Sequence, residues 1–201
     1  IHIFVFMVDV KDKIQDLLIF ENSDDFYLLQ VLQRKKENPQ LGSNSRVIKN
    51  YFISSKEYLN NKYDEIKKLC EVFNARAMLR LNKRSYEKVS FKTLQNIANS
   101  MSNKEYSFIR NSYVRACGLG HNDKNKKCII DIDGEITNEY KSSVIDVINK
   151  SRPDDVNKII IELETKNGIH LVTKPFDLRE FKERFPDIDI HKDNPINLYI
   201  P

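Results

Sequence analysis

Cys128-Ile129-Ile130-Asp131-Ile132-Asp133-Gly134 is the stretch on which the reading of this 201-residue chain turns. An apolar run that ends in Asp-x-Asp reads as a buried strand. Side chains alternate along a strand, so Asp131 and Asp133 project from one face while Cys128, Ile130 and Ile132 project from the other. Two carboxylates this close repel each other and need protons, basic partners or a divalent cation; all-oxygen donors suit magnesium or manganese. Asp-x-Asp alone is common, and its plain reading is a solvated strand end.

The residues that follow place those carboxylates. Thr137 to Lys150 is a helical pattern with Tyr140, Val144, Val147 and Ile148 on one stripe, opened by a Thr able to cap it. Lys158 to Glu164 reads as a strand, and Lys166-Asn167-Gly168 turns into a second, Ile169 to Lys174. Asp177 to Phe185 is a short helix with Leu178 and Phe181 inward, and Ile196 to Ile200 alternates as a last strand. The order is β-α-β-β-α-β, which predicts an α+β, ferredoxin-like or RNA-recognition-motif-like (RRM-like) module over about 127–201. In that topology the third strand, with His170, and the fourth flank the first. Asp187, Asp189 and Asp193 precede the fourth and would reach the same edge.

These residues resemble the archaeo-eukaryotic primase superfamily, which includes primase-polymerases of viruses, plasmids and cellular repair systems. That superfamily carries an apolar run ending Asp-x-Asp, then small-x-His, then an apolar residue followed by Asp. Here they read Ile129 to Asp133, Gly168-Ile169-His170 and Ile188-Asp189. Relatives also place a strand ending Asn-x-Arg upstream, matched by Met78-Leu79-Arg80-Leu81-Asn82-Lys83-Arg84, so the likeness covers most of the chain. Two departures stand beside it. The distance from His170 to Asp189 is short, with Asp187, Asp189 and Asp193 competing for the third motif, and the chain stops at Pro201, where relatives often continue, which allows it to be a fragment.

The resemblance implies a metal-dependent nucleotidyltransferase that adds nucleotides to a primer or initiating strand on a DNA template. Asp131, Asp133 and Asp189 would be catalytic and hold two Mg2+ or Mn2+ ions. His170, Arg84, Asn82 and Lys166 would contact the nucleoside triphosphate, and Lys174 is a further cation nearby. Arg76, Arg80 and Lys83 would contact single-stranded or primed DNA, and a helicase is an expected partner. The rival is a catalytically inactive nucleic-acid-binding module of a replication or mobile-element system. A distant third reading is a haloacid-dehalogenase-like phosphatase, suggested by Asp131-Ile132-Asp133-Gly134; such enzymes need a Rossmann-like domain after the motif, whereas about seventy residues in split βαβ order follow here.

Upstream, residues 1–118 read as an N-terminal α/β unit packed with the module in a single domain. Ile1 to Phe6 is apolar without the basic start of a signal peptide, and Met7 is a candidate natural start. A helix is expected from Asp9 with Val10, Ile14, Leu17 and Leu18 inward, then strands at Phe26 to Gln33 and Val47 to Ile53. Ser54 or Ser55 caps a helix bearing Leu59, Tyr63, Ile66, Leu69, Cys70 and Phe73. After a strand at Ala75 to Leu81 come two helices, one carrying Phe91, Leu94, Ile97, Ala98 and Met101, the other, from about Glu105 to Ala116, carrying Tyr106, Ile109 and Tyr113.

Bulk properties narrow the class. A 40% hydrophobic content supports a substantial core, and no apolar run approaches a membrane span. Three cysteines suit a reducing, cytoplasmic setting rather than a disulfide framework. Cys117, His121 and Cys128 fall short of a zinc site for want of a fourth ligand and regular spacing. Residues 1–100 hold 17 Lys/Arg against 12 Asp/Glu, and residues 101–201 hold 16 against 17. The first half is thus a basic wall suited to phosphate, in which Arg34-Lys35-Lys36 reads as a solvated charge cluster.

Overall fold

A computed structural model describes residues 7–119, 125–134, 136–154, 157–165 and 167–201. In chain order its elements are β1 (Val8–Asp9), α1 (Lys11–Gln15), β2 (Asp25–Arg34), β3 (Ser45–Ile53), α2 (Lys56–Phe73), β4 (Arg76–Leu79), β5 (Arg84–Ser85), α3 (Tyr86–Ser102), a 3-10 helix (Tyr106–Asn111) and α4 (Ser112–Leu119). There follow β6 (Cys128–Asp133), α5 (Asn138–Lys150), β7 (Ile159–Glu164), β8 (Gly168–Thr173), α6 (Leu178–Arg184), β9 (Asp189–His191) and β10 (Ile196–Ile200). The chain is mixed α+β with two antiparallel sheets. It divides into a unit of Ile1–Lys124 with Ile196–Pro201 and a unit of Asn125–Pro195.

In the first unit the sheet order is β1-β10-β4-β2-β3, with β5 also on β2. The ten-residue β2 is apolar on both faces, as a strand covered on both sides requires. On one face Phe26 and Leu28 pack with Val89, Ala116 and Cys117, bordered by Phe52, Tyr86 and Tyr113. On the other, Leu29 lies opposite Tyr51, whose hydroxyl donates to Glu65 of α2 at 2.7 Å. Hydrogen bonds from Lys49, Tyr51 and Lys62 hold the Glu65 carboxyl down at about 2. Ser55 caps α2 by accepting from the Tyr58 amide, as expected.

Three expectations for this unit need correction. α1 is a single short turn of helix, and the segment expected to form one helix from 105 to 116 splits into the 3-10 helix and α4. More consequential is α3. Its inward stripe is Val89, Thr93, Asn96 and Ser100, so the opposite stripe leaves Phe91, Leu94 and Met101 56–64% exposed. Val89 alone of that stripe joins Phe26 and Leu28 of the sheet, and α3 otherwise lies against α4 and the 3-10 helix.

In the second unit the strand order is β7-β8-β6-β9. Ile130, Ile132 and Leu171 point to one face and pack with Val144, Val147 and Ile148 of α5, with Phe181 of α6, and with Phe176, Phe185 and Ile188. Thr137 caps α5 through the Tyr140 amide and Asp177 caps α6 through the Arg179 amide. The outermost strand on the β6 side is β9, Asp189–His191, not Ile196–Ile200. The latter forms as a strand but pairs with β1 and β4 of the first unit. Strand pattern alone does not name a partner, and both candidates alternate with period two.

Candidate functional site

The site is a rung of the second sheet. Asp131 lies opposite His170 on β8 and opposite Asp189 on β9, so three residues far apart in sequence share one level of the ladder. Residues paired this way project from the same face, with side chains close enough to interact. Asp133 stands two residues on, opposite Gly168, and His191 lies opposite Ile129 on the same face. The apolar residues between them anchor the other face, which is why five polar side chains are presented together.

Gly168 stands where β8 passes the end of β6. A Cβ there would stand 1.9 Å from the Ile132 carbonyl oxygen, well inside contact distance. Only glycine lets β8 approach β6 at this level and bring His170 level with Asp131. Gly134, just past Asp133, has φ +96°, a left-handed conformation that ends the strand at low cost for glycine.

His170 Nε2 lies 3.1 Å from Asp131 Oδ1, and His191 Nε2 lies 3.8 Å from Oδ2. The first is a hydrogen bond and the second an ion-pair distance. Asn194 Nδ2 sits 3.0 Å from His191 Nδ1 and holds the ring beside Asp131. The hydrogen bond from His170 holds the Asp131 carboxyl below its ordinary range; partial burial opposes this, and the charges of both imidazoles reinforce it. His191 was not among the residues expected from sequence. Its signal was available, since Asp187-Ile188-Asp189-Ile190-His191 alternates as Ile129 to Asp133 does.

Asp133 and Asp189 are exposed, and among the described residues neither side-chain carboxylate has a hydrogen-bond or ion-pair partner. Two unneutralised carboxylates beside a third form an oxygen donor set of the chemistry that magnesium and manganese take. Among the described residues no group of three or more His, Cys, Asp or Glu is arranged to hold a metal ion. Asp131 turns its oxygens to the imidazoles. Of the competing aspartates, Asp189 is in the ladder, Asp187 precedes it and Asp193 follows it.

Of the remaining expected residues, Lys166 lies outside the described residues, Lys174 is exposed just past β8 in the second unit, and the others belong to the first unit. Arg84 is 1% exposed, its Nε donating to the Cys117 carbonyl at 2.9 Å and Nη1 to the Asn82 carbonyl. Asn82 is equally buried. Expected at a nucleotide's phosphates, these two instead sit inside their own unit, with Arg84 bonded to main-chain carbonyls. Lys83 pairs with Glu21 at 2.7 Å and Asp25 at 2.9 Å. Burial works against its charge, but these acids outweigh it and raise its pKa. Arg76 pairs with Glu37 at 2.6 Å, and Arg80, half-buried, donates its amide to the Leu28 carbonyl. For zinc, His121 lies outside the described residues, while Cys117 is in the apolar cluster with Phe26 and Leu28. No helix among the described residues is long and apolar enough to cross a membrane. Comparison with protein-family models, with curated proteins and with solved structures finds no match.

Proposed function

We propose that the chain is a metal-dependent nucleotidyltransferase of the primase-polymerase kind, its acidic face carried on a ferredoxin-like, RRM-like module whose fourth strand is β9. The observation that carries the reading is the rung Asp189, Asp131, His170: three short motifs expected to act together share one level of one sheet. Asp131, Asp133 and Asp189 would hold the divalent ions, which when bound supply charge neutralisation for an attacking hydroxyl and a departing pyrophosphate. His170 donates from Nε2, to Asp131 in the resting arrangement and to a phosphate oxygen once the carboxylate is engaged elsewhere. Arg84 and Asn82 support the turn between β4 and β5 rather than phosphate, and Lys83 is committed to Glu21 and Asp25.

The test is incorporation of labelled nucleotides on a single-stranded template, with and without primer, in magnesium or manganese. Asp131→Ala should lower the rate by at least about a hundredfold while the variant melts as a folded protein. Wild-type incorporation by that variant removes the reading. The binding-module alternative is favoured by one specific observation, that both Asp131 oxygens face imidazoles. Template binding by the wild-type chain without incorporation in either metal would establish it.

A further inference from the structure

The outward stripe of α3 is the largest feature the catalytic reading leaves unused. Phe91, Leu94 and Met101 are 64, 63 and 56% exposed, and Tyr106 and Phe108, on the 3-10 helix, are 63 and 47% exposed. The chain reverses at Lys104, which takes φ +59°, and Lys104 and Glu105 donate their amides to the Met101 and Ser100 carbonyls. Tyr106 therefore begins directly at the end of α3. From Phe91 to Met101 the stripe runs about 15 Å. Surface aromatics and aliphatics gathered in one run mark a binding face rather than scattered exposure.

Charge identifies the occupant. Between Tyr86 and Arg115 stand Lys88, Lys92, Lys104, Arg110 and Arg115 against Glu87 and Glu105. Among the described residues none of these five cations forms an ion pair, whereas Lys49, Lys67, Arg76 and Lys83 of the same unit are each neutralised by an acid. The Arg115 guanidinium lies 5.1 Å from the Phe108 ring centre, a stacked aromatic-cation pair. Exposed rings interleaved with unneutralised cations suit a strand with unpaired bases, whose rings stack on the aromatics while its phosphates meet Lys and Arg. A second copy would bring the same cations face to face across a two-fold interface, which opposes self-association.

We infer that the surface formed by α3 and the 3-10 helix, with Phe91, Tyr106 and Phe108 as stacking rings and Lys88, Lys104 and Arg110 as phosphate contacts, binds single-stranded nucleic acid. The inference gives the expected template a place on the first unit and does not depend on the acidic face turning over.

The experiment is fluorescence anisotropy of a labelled oligothymidylate of about 20 nucleotides with the full chain, across a salt series. The wild-type chain binds, and Phe91→Ala with Phe108→Ala weakens binding by at least about fivefold with unchanged melting, since both rings are exposed. Lys88→Gln with Lys104→Gln flattens the salt dependence by about 0.7 per charge. Lys68→Gln, on exposed α2 surface, binds as wild type. Binding that depends on Phe91 and Phe108 in a chain without incorporation keeps this inference and removes the catalytic reading. Absence of wild-type binding, or wild-type affinity in both double variants, overturns the inference. So does a dimer that Leu94→Ser separates and that has no affinity for the oligonucleotide.

Discussion

Asp131 titrates under the control of its two imidazole neighbours. Its folded pKa lies below the unfolded value of about 3.9, so its interactions stabilise the fold fully above that pH and are lost as pH falls through the folded value. Asp131→Asn should therefore be less stable than wild type at pH 6, by on the order of 1 kcal/mol, and the difference should shrink below about pH 4. Urea midpoints across pH check this, and a constant difference down to pH 2 would contradict it. The carboxylates and His170 were legible because strand alternation fixes which side chains share a face. The arginines were less so. An Arg that grips a phosphate and one that grips carbonyls of its own fold need the same planar donors, so sequence could not separate the two roles of Arg84.

Among elements, the β6–β8 pair sets the geometry, and at Gly168 an added side chain would meet the backbone of β6. Gly168→Ala must move backbone against the Ile132 carbonyl, which should cost about 1–3 kcal/mol and pull His170 out of level with Asp131. Thermal melting and activity report the two effects separately, and a variant matching wild type in both would show that the strands yield without consequence. For α2 and α5, each with one apolar stripe and a capping residue, the bounds and caps were legible, although Phe73 and Tyr140, expected on those stripes, are exposed. For α3, the apolar spacing of Phe91, Leu94 and Met101 pointed to the wrong face, because the face turned inward carries Val89 among polar residues and local spacing does not register its packing on α4. β9 was overlooked because Ile196 to Ile200 filled the place of the fourth strand, although the alternation of Asp189–His191 matches that of β6.

Across the molecule, the two units account for the strand that sequence assigned to the wrong sheet. β10 sits between β1 and β4, with Ile196, Leu198 and Tyr199 buried. Removing residues 196–201 should therefore expose amides of β4 to hydrogen exchange while those of β6 and β9 keep their protection. Exchange appearing in β6 instead would return β10 to the second unit. The class of the fold was legible because alternating and helical periods are local; strand partnership is a long-range choice among similar edges. The rung of Asp189, Asp131 and His170 is the centre of the account. It is tested most directly by manganese-dependent nucleotide incorporation measured side by side for Asp131→Ala, Asp187→Ala, Asp189→Ala and Asp193→Ala, each confirmed to be folded. Loss in the Asp131 and Asp189 variants, with activity kept in the other two, is the predicted result. Activity kept by Asp189→Ala and lost in Asp187→Ala or Asp193→Ala would contradict it.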